Sequence, residues 1–142
     1  MMKDIQYRLV GFDLMQFAPA YEKINAEEPI EGNYGFDFAY NKNEHTVRAT
    51  VNLNMTQNGE TILTVQFATF VELKKDSAEA LIKGSTITFR KEHQAQFASF
   101  GYGALRGVMY LKTINTPIEN MILPPIELDD IFTNSLTISL ED

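Results

Sequence analysis

The side chains with most chemical potential in this chain are few and scattered. There are two histidines, His45 and His93, and no cysteine. Without cysteine there is no disulfide, no thiolate metal site and no thiol nucleophile. The histidines lie in different segments, without metal-ligand spacing to each other. His45 follows a polar turn and His93 opens a helical pattern, so both are expected at the surface. Glu127, Asp129 and Asp130 cluster but lack the alternating oxygen ligands and central glycine of a calcium loop; helix-capping acids are the simpler reading. Gly101-Tyr102-Gly103 sits inside a helical pattern, whereas a phosphate loop follows a strand and opens a helix. Arg106, the one cation in the middle of that helix, reads either as a paired structural residue or as a contact to the acidic C-terminal segment. No base, nucleophile or metal set emerges, and the expectation is a protein that is not an enzyme and uses no cofactor.

The elements that would carry these residues are clearer. Val47, Ala49, Val51, Leu53 and Met55 alternate with Arg48, Thr50, Asn52 and Asn54, the period of a strand with one dry face. Asn58-Gly59 then marks a hairpin, because both residues tolerate positive φ. The returning strand, Thr61 to Leu73, has Leu63, Val65, Phe67, Val71 and Leu73 on one face. Ile62, Ala68 and Phe70 make its other face partly apolar, as in a central strand or one at a subunit interface. Upstream, Phe36, Phe38 and Tyr40 alternate before a polar turn at 41–44. In the first strand the apolar parity switches beside Gly11, which predicts a β-bulge. Together these make a meander of four strands.

The second half changes period. Residues 76–80 predict a short helical turn, and Gly84–Phe89 reads as β-like or irregular. From Lys91 the pattern is helical, with Phe97, Phe100, Ala104, Leu105, Val108 and Leu111 on one face. Gly101, Gly103 and Gly107 each cost about 1 kcal/mol relative to Ala in such a helix, so a close backbone approach is expected there. Thr113–Met121 reads as a loop. Leu123-Pro124-Pro125 and the acids after it predict another helix start.

At 142 residues and 44% hydrophobic content, one domain able to bury its own core is expected. Ten Phe, six Tyr and six Met also suit adaptable apolar contacts. The net charge of −7 disfavours nucleic acid as a partner. All twelve Lys and Arg lie at or before Lys112, which leaves Glu119, Glu127, Asp129, Asp130, Glu141 and Asp142 unopposed; this block reads as a solvated tail or as an attractor for a basic partner. The chain starts without a secretory signal and holds no apolar run of about 20 residues, so a cytoplasmic protein without direct membrane insertion is expected.

Taken in order, these segments resemble the SecB export chaperones. The hairpin Val47–Met55, Gly59-Glu60-Thr61 and Ile62–Leu73 is similar to that family's central hairpin. Leu123-Pro124-Pro125-Ile126-Glu127-Leu128-Asp129-Asp130-Ile131-Phe132 is similar to its segment between two helices, and Phe17-Ala18-Pro19 to the close of its first strand. The likeness runs from about Ile5 to Leu136. It implies an α+β fold, a four-stranded antiparallel sheet with a long helix and a short C-terminal helix on one side. It further implies a homo-oligomer (dimer or tetramer) that holds unfolded preproteins in apolar grooves without ATP and passes them to SecA.

On this chain the resemblance implies a client groove at Ile87, Phe89, Phe97, Phe100 and Leu105, and a subunit interface at Leu63, Val65 and Phe67. Asp13, Glu127, Asp129 and Asp130 become partner-facing acids. The family's acid on the fourth strand is Gln66 here, and Phe17 replaces a second one on the first strand. Residues 133–142 form a short β-branched tail, either helical or extended. Solitary SecB-like chaperones also guard one partner such as an antitoxin, which gives an alternative to export. A small-molecule pocket between helix and sheet, or an adaptor that binds a folded partner, are the other readings.

Overall fold

The computed structural model describes residues 4–25, 27–119 and 123–140. Four long strands come first: β1 (Tyr7–Pro19), β2 (Glu31–Asn41), β3 (Thr46–Gln57) and β4 (Glu60–Leu73). They pair antiparallel in the order β1-β4-β3-β2. The order corrects the simple meander: β2, β3 and β4 follow one another through short turns, but β1 lies beside β4. The cause is the connection 20–30, which is long enough to cross the end of the sheet. The Ala20 N–H donates to the Ile62 carbonyl (2.8 Å). Beyond it, buried Gln57 clamps the loop by donating to the carbonyls of Asn25 and Glu28 and accepting from the Asn25 N–H.

The β3–β4 turn is Asn58-Gly59, both with positive φ (50° and 81°), as a two-residue hairpin needs. Register shifts in the β1–β4 pairing fall between Leu9 and Gly11, where the parity change places one, and again between Leu14 and Gln16. Val47, Ala49, Val51, Leu53 and Met55 of β3 and the matching β4 row are buried, so the alternation in sequence is the dry face of the sheet.

That face is covered by α2 (Lys91–Lys112), reached through α1 (Lys75–Leu81), β5 (Ile82–Lys83) and β6 (Thr86–Phe89). The buried residues of α2 include Phe97, Ala98, Gly101, Tyr102, Leu105 and Met109. Leu111 is not among them: it is 69% exposed, because it lies off the stripe that Leu105 and fully buried Met109 continue to the end of the helix. Of the three glycines only Gly101 makes the close approach. A Cβ there would lie 2.5 Å from Thr69 Oγ1, whereas one at Gly103 or Gly107 meets nothing within 4 Å.

The proline segment carries the expected short C-terminal helix, but the helix starts after the prolines and not at them. It is a single turn, α3 (Leu128–Ile131). Arg106 Nε donates to the Leu123 carbonyl (2.9 Å) and the Tyr102 hydroxyl to that of Pro124. Residues before proline favour extended backbone, and the two donors on α2 hold them so. Arg106 is therefore a paired structural residue. The tail is extended: β7 (Leu136–Ser139) pairs with β6 to complete a second, three-stranded sheet. Glu141, Asp142 and residues 120–122 lie outside the described residues.

Candidate functional site

Burial decides which expected site residues are open to a partner. Ile87, Phe89, Phe97 and Leu105 are between 0% and 1% exposed. Phe97 packs edge-on against Tyr7 (5.2 Å) and Phe89 (6.0 Å). These four are core, and of the expected groove only Phe100 reaches the surface in part. Leu63, Val65 and Phe67 are likewise buried beneath the chain's own α2, so a second subunit has no access to them. His93 is buried too, against the surface expectation. Its ring stacks on Phe97 (6.4 Å) and its Nε2 accepts from Arg90 Nη2 (3.1 Å), while Nδ1 has no hydrogen-bond partner. Burial first, and the Arg90 charge second, lower its pKa.

The partner-facing acids separate into two places. Asp13 is exposed on β1, opposite Ala68. Glu127, Asp129 and Asp130 stand exposed around α3. Gln66 pairs with Gln16 on β4 and β1, and Phe17 sits opposite Val65.

An open groove of about 680 Å³ lies along β2, lined by Tyr34, Phe36 and Phe38 on one side and Ile131, Phe132 and Leu136 on the other. Strand alternation sends Tyr34, Phe36 and Phe38 to the α2 face, since each pairs with a buried residue of β3 (Leu53, Val51, Ala49). Phe132 settles between them, edge-on to Phe36 (5.5 Å) and Phe38 (5.7 Å), a favoured geometry for aromatic pairs. Ala95 and Ala98 of α2 lie under Phe132 in the same cluster, where larger side chains would close the floor.

Polar groups brace the groove. Gln94 Nε2 donates to the carbonyls of Phe89 (3.2 Å) and Asn134 (2.9 Å), which ties α2 to the segment entering β7. Asp37, also in the lining, accepts from Asn52 Nδ2 (2.8 Å). Ile131 stays 46% exposed at the rim. The arrangement holds no reacting group; it can bury apolar side chains of an extended ligand.

Phe36, Phe38, Phe132 and Leu136 were absent from the expected groove. Their one trace in sequence is that β2 spends bulky aromatics where its neighbour β3 uses Val and Ala.

No family model matches the chain, and no curated protein matches it. Among solved structures it is similar to the SecB-like chaperone Rv1957 of Mycobacterium tuberculosis in complex with a ChAD peptide from the Rv1956 HigA1 antitoxin. The TM-score is 0.53 at 14% identity, over 85% of this chain and 91% of that one. A four-stranded antiparallel sheet backed by helices, in a divergent sequence, thus takes a SecB-like fold.

Proposed function

We propose that the protein is an ATP-independent chaperone, a holdase that keeps an unfolded polypeptide segment in the groove along β2. The observation that carries the reading is the groove itself. It is open rather than enclosed, long enough to flank a strand, and aromatic on both walls. Such a surface gains about 25 cal/mol per Å² of apolar area removed from water, less the cost of ordering the client. Few fixed hydrogen bonds means little sequence selection, which suits many clients. The open form argues against a small-molecule pocket, which encloses most of its ligand.

A second reading is a dedicated partner such as an antitoxin segment. The similar chaperone's complex with an antitoxin peptide supports it, and the same groove would serve. Handover to SecA for export has less support, since Gln66 and Phe17 stand where the family carries acids. The homo-oligomer remains part of the reading, with β1 rather than Leu63, Val65 and Phe67 as the joining surface. Leu9, Val10, Phe12 and Met15 expose between 44% and 56% of their surface along that edge. A cytoplasmic setting and non-enzymatic action complete it.

The test is Ile131→Asp, at a position exposed enough to leave folding intact. Suppression of aggregation of a reduced, unfolded client should fall about tenfold per mole of protein, as burying one aliphatic side chain is worth about 1.5–3 kcal/mol. Undiminished suppression, with an unchanged circular dichroism spectrum, overturns the assignment of the groove.

A further inference from the structure

The face of the sheet turned away from α2 holds an arginine without a partner. Strand alternation puts Arg48 there, since Val47 and Ala49 on either side of it are buried toward α2. It stands in one row across the sheet with Ala39 of β2 and Phe70 of β4. Among the described residues Arg48 makes no ion pair and no hydrogen bond, and its Nε is buried. A buried donor left in this way is costly. The acids of the same face are engaged elsewhere, Glu72 with Arg8 (2.7 Å) and Asp37 with Asn52 (2.8 Å). Arg48 lines a hollow of about 230 Å³ together with Ala39, Asn41, Glu44, Thr46 and Phe70. The small side chain of Ala39 is what leaves the space open. Glu44 shares the lining, yet forms no ion pair with Arg48.

We infer that this hollow binds a free α-amino acid with an apolar side chain. A carboxylate matches the planar fork of a guanidinium and supplies an acceptor that Arg48 lacks. The ammonium on the adjacent carbon answers Glu44. Opposite charges that line one hollow without meeting suit a ligand that carries both. A phosphate or a dicarboxylate would also answer Arg48, but it brings further negative charge toward Glu44. The ligand's side chain lies against Phe70 and Ala39, the apolar part of the lining. Size agrees with this class, because pockets for drug-sized molecules run from about 300 to 1,000 Å³. The hollow lies on the opposite face of the sheet from α2, so the inference is independent of the holdase reading.

The experiment titrates the full chain by calorimetry with L-leucine, with leucinamide, which lacks the carboxylate, and with N-acetyl-leucine, which lacks the ammonium. Leucine should bind with a Kd of about 1 mM or tighter. Leucinamide should bind about tenfold or more weaker, because the charge-assisted contact to Arg48 is lost. N-acetyl-leucine should bind severalfold weaker. Arg48→Gln should weaken leucine binding about tenfold or more, and Ala39→Leu should abolish it by filling the hollow, both with unchanged circular dichroism. The analogues act on the unaltered chain, so the outcome does not depend on the folding of a variant. Absence of binding at millimolar leucine, or equal binding of leucine and leucinamide, overturns the site. Leucine and N-acetyl-leucine bound alike overturns its assignment to an amino acid.

Discussion

The sheet has two edges, and they are built for different neighbours. β1 is shifted twice in register, at Leu9/Gly11 and Leu14/Gln16, and offers Leu9, Val10, Phe12 and Met15 to solvent. Its own wall is partial: Tyr7 packs on Phe97 and Phe100 and Phe17 lies under Lys112, all three from α2, while the residues between stay open. β2 runs without a shift and faces a wall of its own chain, with Ile131, Phe132 and Leu136 opposite its aromatics. An exposed apolar edge without a groove satisfies itself best against a rigid surface of matching shape, such as another folded copy. A walled edge admits only something slender, such as one extended chain. On the proposed reading, the difference separates assembly from client binding within one domain. It also places the acids: Asp13 stands on the first edge and Glu127, Asp129 and Asp130 beside the second.

The sharpest way to break this division is to charge the β1 edge. Val10→Lys combined with Phe12→Lys should weaken self-association about a hundredfold or more, since each apolar side chain returned to water forfeits about 1.5–3 kcal/mol. Native mass should fall to that of one chain, while suppression of client aggregation per mole of protein stays within twofold. Loss of that suppression along with mass would mean that the edges are not independent. A smaller effect touches both edges together. Gly101→Ala drives a Cβ into Thr69 Oγ1, and Thr69 is fully buried. Overpacking of this kind costs about 1–3 kcal/mol, which a lower denaturant midpoint would show. Gly103→Ala, with open space at its Cβ, should raise the midpoint instead.

Much of the sheet was legible because one dry face imposes period two: β3, the Asn58-Gly59 turn and the shift beside Gly11 all follow from residue types. The neighbour of β1 was not legible, since alternation says which face is buried and nothing about which strand lies alongside. The groove was read from resemblance onto Ile87, Phe89, Phe97 and Leu105, which are core. Apolar side chains that fill a core and those that line a groove have the same pattern in sequence. What tells them apart is whether another element covers them, and that depends on where the proline segment and β7 settle. Those were the least legible pieces: Leu123-Pro124-Pro125 reads as a helix start until Arg106 and Tyr102 are seen holding it extended.

His93 supplies the smallest effect and a check on where acid acts. It carries neither edge, but it lies in the first turn of α2 beside Gln94, which braces the groove through Asn134. Its folded pKa lies below the ordinary 6.5, chiefly through burial and then through Arg90, with Glu92 and Asp4 opposing. Above that ordinary value the ring is neutral in both folded and unfolded chains, and its contribution to stability is complete. As pH falls below it the unfolded chain takes up the proton first, so stability is lost toward the lowered folded value. The slope is at most about 1.4 kcal/mol per pH unit for one group. His93→Gln should flatten this part of the pH–stability profile without moving the native mass, because β1 contributes no histidine. A profile equally steep in the variant would assign acid sensitivity to carboxylates instead. A change in native mass over the same pH range would show that the α2 N-terminus and the β1 edge are coupled.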